Sequence, residues 1–301
     1  MDKILVLTGP TATGKTELSV EIAHRWDVEI ISCDSMQVYK YMDIGTAKPP
    51  ADILEKIPHH LIGYVEPDEE YNVVRFARDA KKAINDILSR GRLPVITGGS
   101  GLYLNSLIFD IDFSSKNEDP QFRKELQSLD RNDLYDMLVS LDPEAAKRIH
   151  PNNVKRVIRA LEIARYDKKH TYSSTFGKKA SHGFDFLIFA LTMKREHLYE
   201  NINKRVEDMF EQGLIDETRK LIENGILKSK TALNAIGYKE VIRYLQNEIP
   251  LLEAKELIKK NTRNYAKRQM TWLRKIEGVR WLDKEIMSKE EMIDEIGKSL
   301  F

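Results

Sequence analysis

The sequence predicts an α/β protein whose core is a parallel sheet covered by helices on both faces. Three observations carry that expectation. Four apolar runs, ILVLTG (4–9), VEIISCD (28–34), LPVIT (93–97) and DFLIFALTM (185–193), are continuous rather than alternating, as strands buried on both faces must be. Segments with helical spacing of apolar residues lie between them. The first run also leads directly into a glycine-rich turn that opens a helix.

The elements follow in order. After 4–9 comes a helix starting at Lys15 and Thr16 and running to about Trp26, then the second strand, which makes a strand–helix–strand unit. The segment NVVRFARDAKKAINDILSRG repeats Val, Phe, Ala, Ile and Leu at helical spacing and stops at Gly91, a normal helix stop, before the strand 93–97. From Phe113 to about Gly183 the chain is highly charged and helical in pattern, with no strand. It ends in the polar tract DKKHTYSSTFGKKASHG, which reads as a mobile loop. After Met193 nearly everything reads as helix, including a basic stretch from Glu253 to Lys275.

Composition narrows the classes. With 42% hydrophobic and 32% charged residues in 301, there is ample material for a core and an additional domain. One cysteine, Cys33, excludes a disulfide framework and a Cys-rich zinc module, and fits a reducing cytoplasm. No apolar run approaches the about 20 residues of a membrane span, and the N-terminus opens into a strand rather than a signal peptide. A net charge of +1 means that any nucleic-acid surface must be local.

Gly9-Pro10-Thr11-Ala12-Thr13-Gly14-Lys15-Thr16 has the spacing G-x-x-x-x-G-K-[ST]. In such a loop the backbone N–H groups and the positive helix end face an anion, the lysine adds a point charge, and the Thr16 hydroxyl can ligate Mg²⁺. The fold class is thus a P-loop NTPase-like parallel sheet core with an inserted helical domain and a helical C-terminal region. Its expected parts are 1–113, the first part of the core, 114–184, the insertion, and 185–301, the second part with basic C-terminal helices.

Ligands in α/β proteins sit at the carboxyl ends of parallel strands. Asp34, in Asp34-Ser35-Met36-Gln37, ends the second strand, where a carboxylate holds a metal, accepts a proton, bonds an amine or simply caps a turn. Ser100, in Thr97-Gly98-Gly99-Ser100-Gly101, is a hydroxyl in the equivalent place on the third, or an N-cap. A nucleoside-monophosphate kinase would add an Arg-bearing lid and an acidic strand end, and neither is evident.

GPTATGKT, DSMQVY, GTAKP, PHHLIG, GGSGLYL, RVIRALE, AIGYKE and YAKRQMTWLRK occur in this order. Together they closely resemble the tRNA dimethylallyltransferase family, also called tRNA isopentenyltransferases, over essentially the whole chain. The resemblance implies transfer of a dimethylallyl group from dimethylallyl diphosphate to the exocyclic amine of the adenosine 3′ of the anticodon. The cradle would then hold an isoprenoid diphosphate with Mg²⁺. Asp34, Ser100 and Arg205 would be catalytic. Asp34, Ser35, Met36, Gln37, Ser100, Arg123, Lys155, Arg156, Val157, Ile158 and Arg159 would contact an anticodon stem-loop. A monomeric cytoplasmic enzyme is expected. The chain departs from the family pattern R-x-x-L-x-x-R-I-x-x-R by carrying Asn201 at the middle basic position, so a role carries over to Arg205 and, more weakly, Arg195. The zinc module appended in longer relatives is not expected here.

The stretch from Glu253 to Lys275 carries eight basic residues with Tyr265 and Trp272 among them, suited to RNA phosphates and base stacking. Tyr265 and Trp272, seven apart, are equally placed to be core residues on one helical face. His59 and His60 lack a third ligand at metal spacing and read as structural. Two other functions stay open: a small-molecule enzyme, either an isopentenyltransferase acting on free adenine nucleotides or a P-loop kinase, and an RNA-binding P-loop protein without catalysis.

Overall fold

The computed structural model describes residues 1–109, 119–166, 183–229 and 231–301, so the polar tract expected to be mobile at 167–182 lies outside the described residues. The chain divides into two compact units, Met1–Leu107 with Gly183–Phe301, and Ile108–His182. These edges differ from 114–184 because Phe184 already opens a strand and Ile108 belongs with the second unit.

The elements run in the order β1 (Asp2–Thr8), α1 (Lys15–Arg25), β2 (Val28–Ser32), α2 (Ala51–Lys56), β3 (His59–His60), α3 (Val73–Ser89), β4 (Leu93–Thr97) and α4 (Gly101–Ile108). Then come α5 (Pro120–Ser128), α6 (Arg131–Leu141), α7 (Pro143–Arg148) and α8 (Val154–Tyr166), which make the second unit. The chain returns through β5 (Phe184–Thr192), α9 (Arg195–Glu211), α10 (Leu214–Glu223), α11 (Tyr238–Leu245), α12 (Leu251–Leu273), β6 (Arg280–Asp283) and α13 (Lys289–Leu300).

The six strands form one parallel sheet in the order β3-β2-β4-β1-β5-β6. β1 is central. Ile4, Leu5, Val6 and Leu7 are at most 1% exposed, which accounts for their unbroken apolar run, and each such side chain contributes about 1.5–3 kcal/mol. α3 begins where the Asn72 side chain accepts from the N–H groups of Val74 and Arg75, and buries Phe76, Ala80, Ala83, Ile84 and Ile87. α13 starts with a capping box of Ser288 and Glu291 and puts Met292, Ile293, Ile296 and Leu300 into the core beneath β1 and β5.

Two strands escape the sequence reading. β3 is two residues long and carries no pattern, and His59 and His60 pair with Ile30 and Ile31 at the sheet edge. β6 interrupts the helical C-terminal region; its RWLD reads as polar because an edge strand leaves Arg280 and Trp281 exposed and buries only Leu282. The second unit packs α5, α6, α7 and α8 around Leu126, Leu134, Leu138, Ala160 and Leu161.

One buried charge holds the β2–β3 edge. Glu29 accepts from Arg90, from Arg92 Nη1 at 2.7 Å and sits 2.6 Å from His60 Nε2. Its hydrogen bonds from Arg90, working against burial, hold its carboxyl down from 4.5 to about 2. A depressed folded value means that this stabilisation is complete above about pH 4.5 and is lost as pH falls toward 2. Glu29→Gln should therefore cost about 2 kcal/mol at pH 7 and little at pH 2.5, read from urea unfolding at the two pH values. An equal loss at both would assign the effect to packing.

Candidate functional site

The turn 9–14 wraps tightly because its glycines allow it. Gly9 has φ +137°, and a Cβ there would lie 2.7 Å from the Leu191 carbonyl of β5; Gly14, at φ +85°, sets the direction of α1. Thr13 is fully buried and donates through Oγ1 to the Pro10 carbonyl at 2.8 Å, which fastens the turn from inside. Lys15 Nζ donates to the carbonyls of Gly9 (3.1 Å) and Pro10 (2.8 Å). Burial, with Arg205 adding to it and Asp34 opposing it, draws the Lys15 amine down from 10.5 to about 7. Thr16 is exposed in the first turn of α1.

The ends of β2 and β4 are sewn to each other. Cys33 N–H donates to Thr97 O (2.7 Å), Ser100 N–H to Cys33 O (3.2 Å), and Ser35 N–H to Ser100 Oγ (3.0 Å). At Gly98, φ +156°, a Cβ would come within 2.2 Å of the Cys33 carbonyl. Asp34 is thereby fixed at the strand end. Its Oδ1 accepts from the N–H groups of Met36 (2.8 Å) and Gln37 (3.3 Å), whereas Oδ2 receives no hydrogen bond within the described residues. Capping and free reactivity are divided between the two oxygens of one carboxylate.

α12 closes over these loops. Gln269, 5% exposed, accepts from Thr11 N–H (2.9 Å) and donates to Gly99 O (2.9 Å), so one amide joins the first loop to the third. A Cβ on Gly99 would sit 2.1 Å from Gln269 Nε2, and one on Gly101 would sit 2.7 Å from the Trp272 ring. Trp272 is thus a packing residue. Between these loops, α9 and α12 lies a cavity of about 430 Å³ whose wall includes Thr11, Asp34, Met36, Thr46, Arg205, Lys239, Asn261, Tyr265 and Arg268, with Ile202, Val206, Met209 and Ile258 as its apolar side. Burial lowers the hold of Arg205 on its proton and the Asp34 charge opposes that; the guanidinium makes no hydrogen bond within the described residues. Burial, and then the Asp34 charge, raise the Tyr265 phenol well above its usual range.

Comparison with known proteins decides the family. A model described as IPP transferase matches residues 37–276, and one described as isopentenyl transferase matches 2–65. The tRNA dimethylallyltransferase of Acetivibrio thermocellus is 50% identical over 298 residues, 97% of this chain and 95% of its own. The chain belongs to the tRNA dimethylallyltransferase family. The enzyme of that name from Caldanaerobacter subterraneus is 44% identical over 93% of this chain and 91% of its own. Among solved structures, the tRNA delta(2)-isopentenylpyrophosphate transferase of Staphylococcus epidermidis matches with a TM-score of 0.74 and 42% identity, covering 100% of this chain and 99% of that one. A eukaryotic dimethylallyltransferase acting on tRNA gives 0.81 and 35% over 94% of this chain and 74% of that one.

Within this family member, the expected residues fall into three groups. Asp34, Ser35, Met36, Thr11 and Arg205 share the cavity. Ser100 is 7% exposed; its hydroxyl accepts from Ser35 N–H, lies 3.4 Å from the Ser35 hydroxyl and is bonded to the cavity-lining Tyr265 phenol, so it braces the loop carrying Asp34 at the edge of the cavity. Gln37 is likewise spent on structure. Its Nε2 donates to the carbonyls of Thr46 and Ala47 (both 3.2 Å), and its Oε1 accepts from Ser32. The third group belongs to the second unit. There Lys155 and Arg156 are exposed, whereas Arg123 and Arg159 both pair with the buried Glu162 (3.4 and 3.3 Å). Val157 and Ile158, expected to touch RNA, are 1% and 5% exposed and face the core of α5–α8; the helical turn that presents Lys155 and Arg156 outward must point them inward.

The basic stretch is not one stripe. Lys255 and Lys259 both pair with Glu207 of α9 at 2.7 Å, and Arg263 donates to Asn203 (2.6 Å). Arg268 lines the main cavity, and Lys267 and Arg274 line another of about 390 Å³ beside Arg195 and Tyr199. Reading the chain linearly hid the carboxylates that α9 supplies. It also drew no role for Gln269, buried in α12, or for the half-buried Lys239 and Asn261, although Gln269 and Lys239 fall within YAKRQMTWLRK and AIGYKE.

Two outcomes follow from this geometry. An anion at Lys15 raises its proton affinity again, so binding of inorganic diphosphate should weaken as pH rises through 7 and should take up protons near pH 8, read by calorimetry in buffers of different ionisation enthalpy. Lys15→Arg, charged throughout, should lose the part of that uptake owed to the side chain. Gln269→Ala takes the partner from the part-buried Thr11 N–H and leaves the Gly99 carbonyl only the Tyr265 hydroxyl at 3.5 Å, and should cost about 1–3 kcal/mol in chemical unfolding; no loss would mean that water or another side chain replaces the bridge.

Proposed function

We propose that the protein transfers a dimethylallyl group from dimethylallyl diphosphate to the exocyclic amine of the adenosine 3′ of the anticodon in tRNA, releasing diphosphate. The observation that carries the reading is one cavity reached by the phosphate loop at Thr11 and by Asp34 with an unbonded carboxylate oxygen. A phosphate cradle alone would serve a kinase equally. A carboxylate held by two backbone N–H groups, with its second oxygen left over, suits an amine that must be oriented and deprotonated.

In the reaction the allylic C–O bond breaks, the new C–N bond forms, and the amine proton passes to Asp34. Negative charge grows on the departing diphosphate, and Lys15, the loop amides and Arg205 are placed to stabilise it. Two of the three Lys15 N–H donors go to the carbonyls of Gly9 and Pro10, which leaves one for a phosphate oxygen. The apolar side formed by Ile202, Val206, Met209 and Ile258 suits a five-carbon group and keeps water from the allylic centre. Thr16 supplies a hydroxyl beside the cradle, and among the described residues no cluster of three or more His, Cys, Asp or Glu forms a metal cage. That donor set fits Mg²⁺, which takes most of its ligands from phosphate oxygens and water. When bound, the ion neutralises part of the diphosphate charge.

The target base lies in an anticodon loop and leaves its stack to reach Asp34. Lys155 and Arg156 of the second unit are proposed as contacts to the anticodon stem-loop, with Met36 and Ser35 against the base. No helix among the described residues is long and apolar enough to cross a membrane. A monomer acting in the cytoplasm belongs to the same proposal.

The test is incubation with labelled dimethylallyl diphosphate and Mg²⁺, with either unmodified tRNA or AMP. Label in tRNA alone supports the reading; label in AMP alone, or in neither, removes it. Asp34→Ala should lower kcat by roughly 10²–10⁴-fold while tRNA affinity falls modestly. Retention of more than about a tenth of wild-type kcat would remove the general-base role from Asp34.

A further inference from the structure

One part of the cavity wall is the turn at Gly45 and Thr46, and what holds it is remote in sequence. Three successive amides converge on the carboxylate of Glu217 in α10. Asp43 N–H donates to Oε2 (3.0 Å), Ile44 N–H to Oε2 (2.8 Å) and Oε1 (3.1 Å), and Gly45 N–H to Oε1 (3.1 Å). Tyr238, fully buried at the start of α11, donates to Glu217 Oε1 at 2.6 Å, and its oxygen accepts from Gly45 N–H at 3.1 Å. The fit leaves no slack, since a Cβ on Gly45 would lie 2.5 Å from the Tyr238 ring. From the other side Gln37 holds the carbonyls of Thr46 and Ala47, and Gln37 belongs to the turn capped by Asp34.

We infer that Glu217, with Tyr238, is a positioning residue for the acceptor: it holds the 43–46 turn so that the Gly45–Thr46 wall and Asp34 together accept the adenine. This rests on the transferase reading above. Neither side chain is part of the cavity wall, so the effect passes through the backbone. The donor's phosphates are held by the 9–16 loop, which the clamp does not touch, so donor and acceptor binding should respond differently. Three amides facing one carboxylate also make the exchange to an amide specific. Gln in place of Glu217 offers a single acceptor oxygen and turns N–H groups toward at least one backbone donor.

Steady-state kinetics of Glu217→Gln and Tyr238→Phe, with an anticodon stem-loop RNA and dimethylallyl diphosphate varied separately, test the inference, with thermal unfolding followed alongside. Glu217→Gln should raise KM for the RNA about tenfold, leave KM for the donor within about twofold, and change kcat far less than the RNA KM. Tyr238→Phe, which deletes one hydroxyl, should raise the RNA KM by a smaller factor in the same direction. Unchanged RNA KM in both variants overturns the clamp, and so does a proportional rise in both KM values. If Glu217→Gln fails to fold, Tyr238→Phe decides alone, and an unchanged RNA KM overturns the inference. Absence of transfer by the unaltered protein overturns the function itself; transfer with insensitive variants removes only this inference.

Discussion

The Gln269 carboxamide accepts from Thr11 and donates to Gly99, and through those two bonds a helix near the end of the chain fixes the relation between the first and third loops. Everything else at the site is placed relative to that joint. Gly99 lets the amide approach; Ser100, one residue on, holds Ser35; Ser35 follows Asp34. The position of the Asp34 carboxylate is therefore set by a run of short polar contacts, buried or part-buried, each replacing a bond to water. Burial makes such a chain stiff, because a broken link leaves an unpaired group where water is scarce.

Charge is handled with the same thrift. Partial burial lowers both Lys15 and Arg205, and the Asp34 carboxylate opposes that shift in each. Two cations facing one anion in a confined space are costly without a ligand and favourable with a polyanionic one. Lys15 also donates to the loop's own carbonyls at Gly9 and Pro10, which offsets part of that cost. Cations fixed in place by the fold stabilise a polyanion without having to be assembled around it.

The parallel sheet, its order of strands and helices through β5, and the cradle were legible along the chain because each depends on neighbours in sequence: apolar runs, glycines at fixed spacing, a strand followed by a helix. Asp34 was legible from its place at the end of such a run. β6 was not, because the charge of Arg280 and Asp283 concealed an edge strand whose partner, β5, is remote in sequence. Val157 and Ile158 were misjudged by treating a run as a surface, although a helix turns inward every few residues.

The sequence by itself determined the family, the chemistry available and the fold class, since these follow from residue types in local patterns. Only the tertiary structure decided which of those residues share a space. Ser100 and Gln37 became supports, Glu207 neutralised lysines that looked free, and Gln269, Glu217 and Tyr238 gained roles that their helical settings did not announce. The reason is physical. A hydrogen bond or an ion pair is a matter of ångströms between side chains, and elements hundreds of residues apart are brought within that range only when the core has closed.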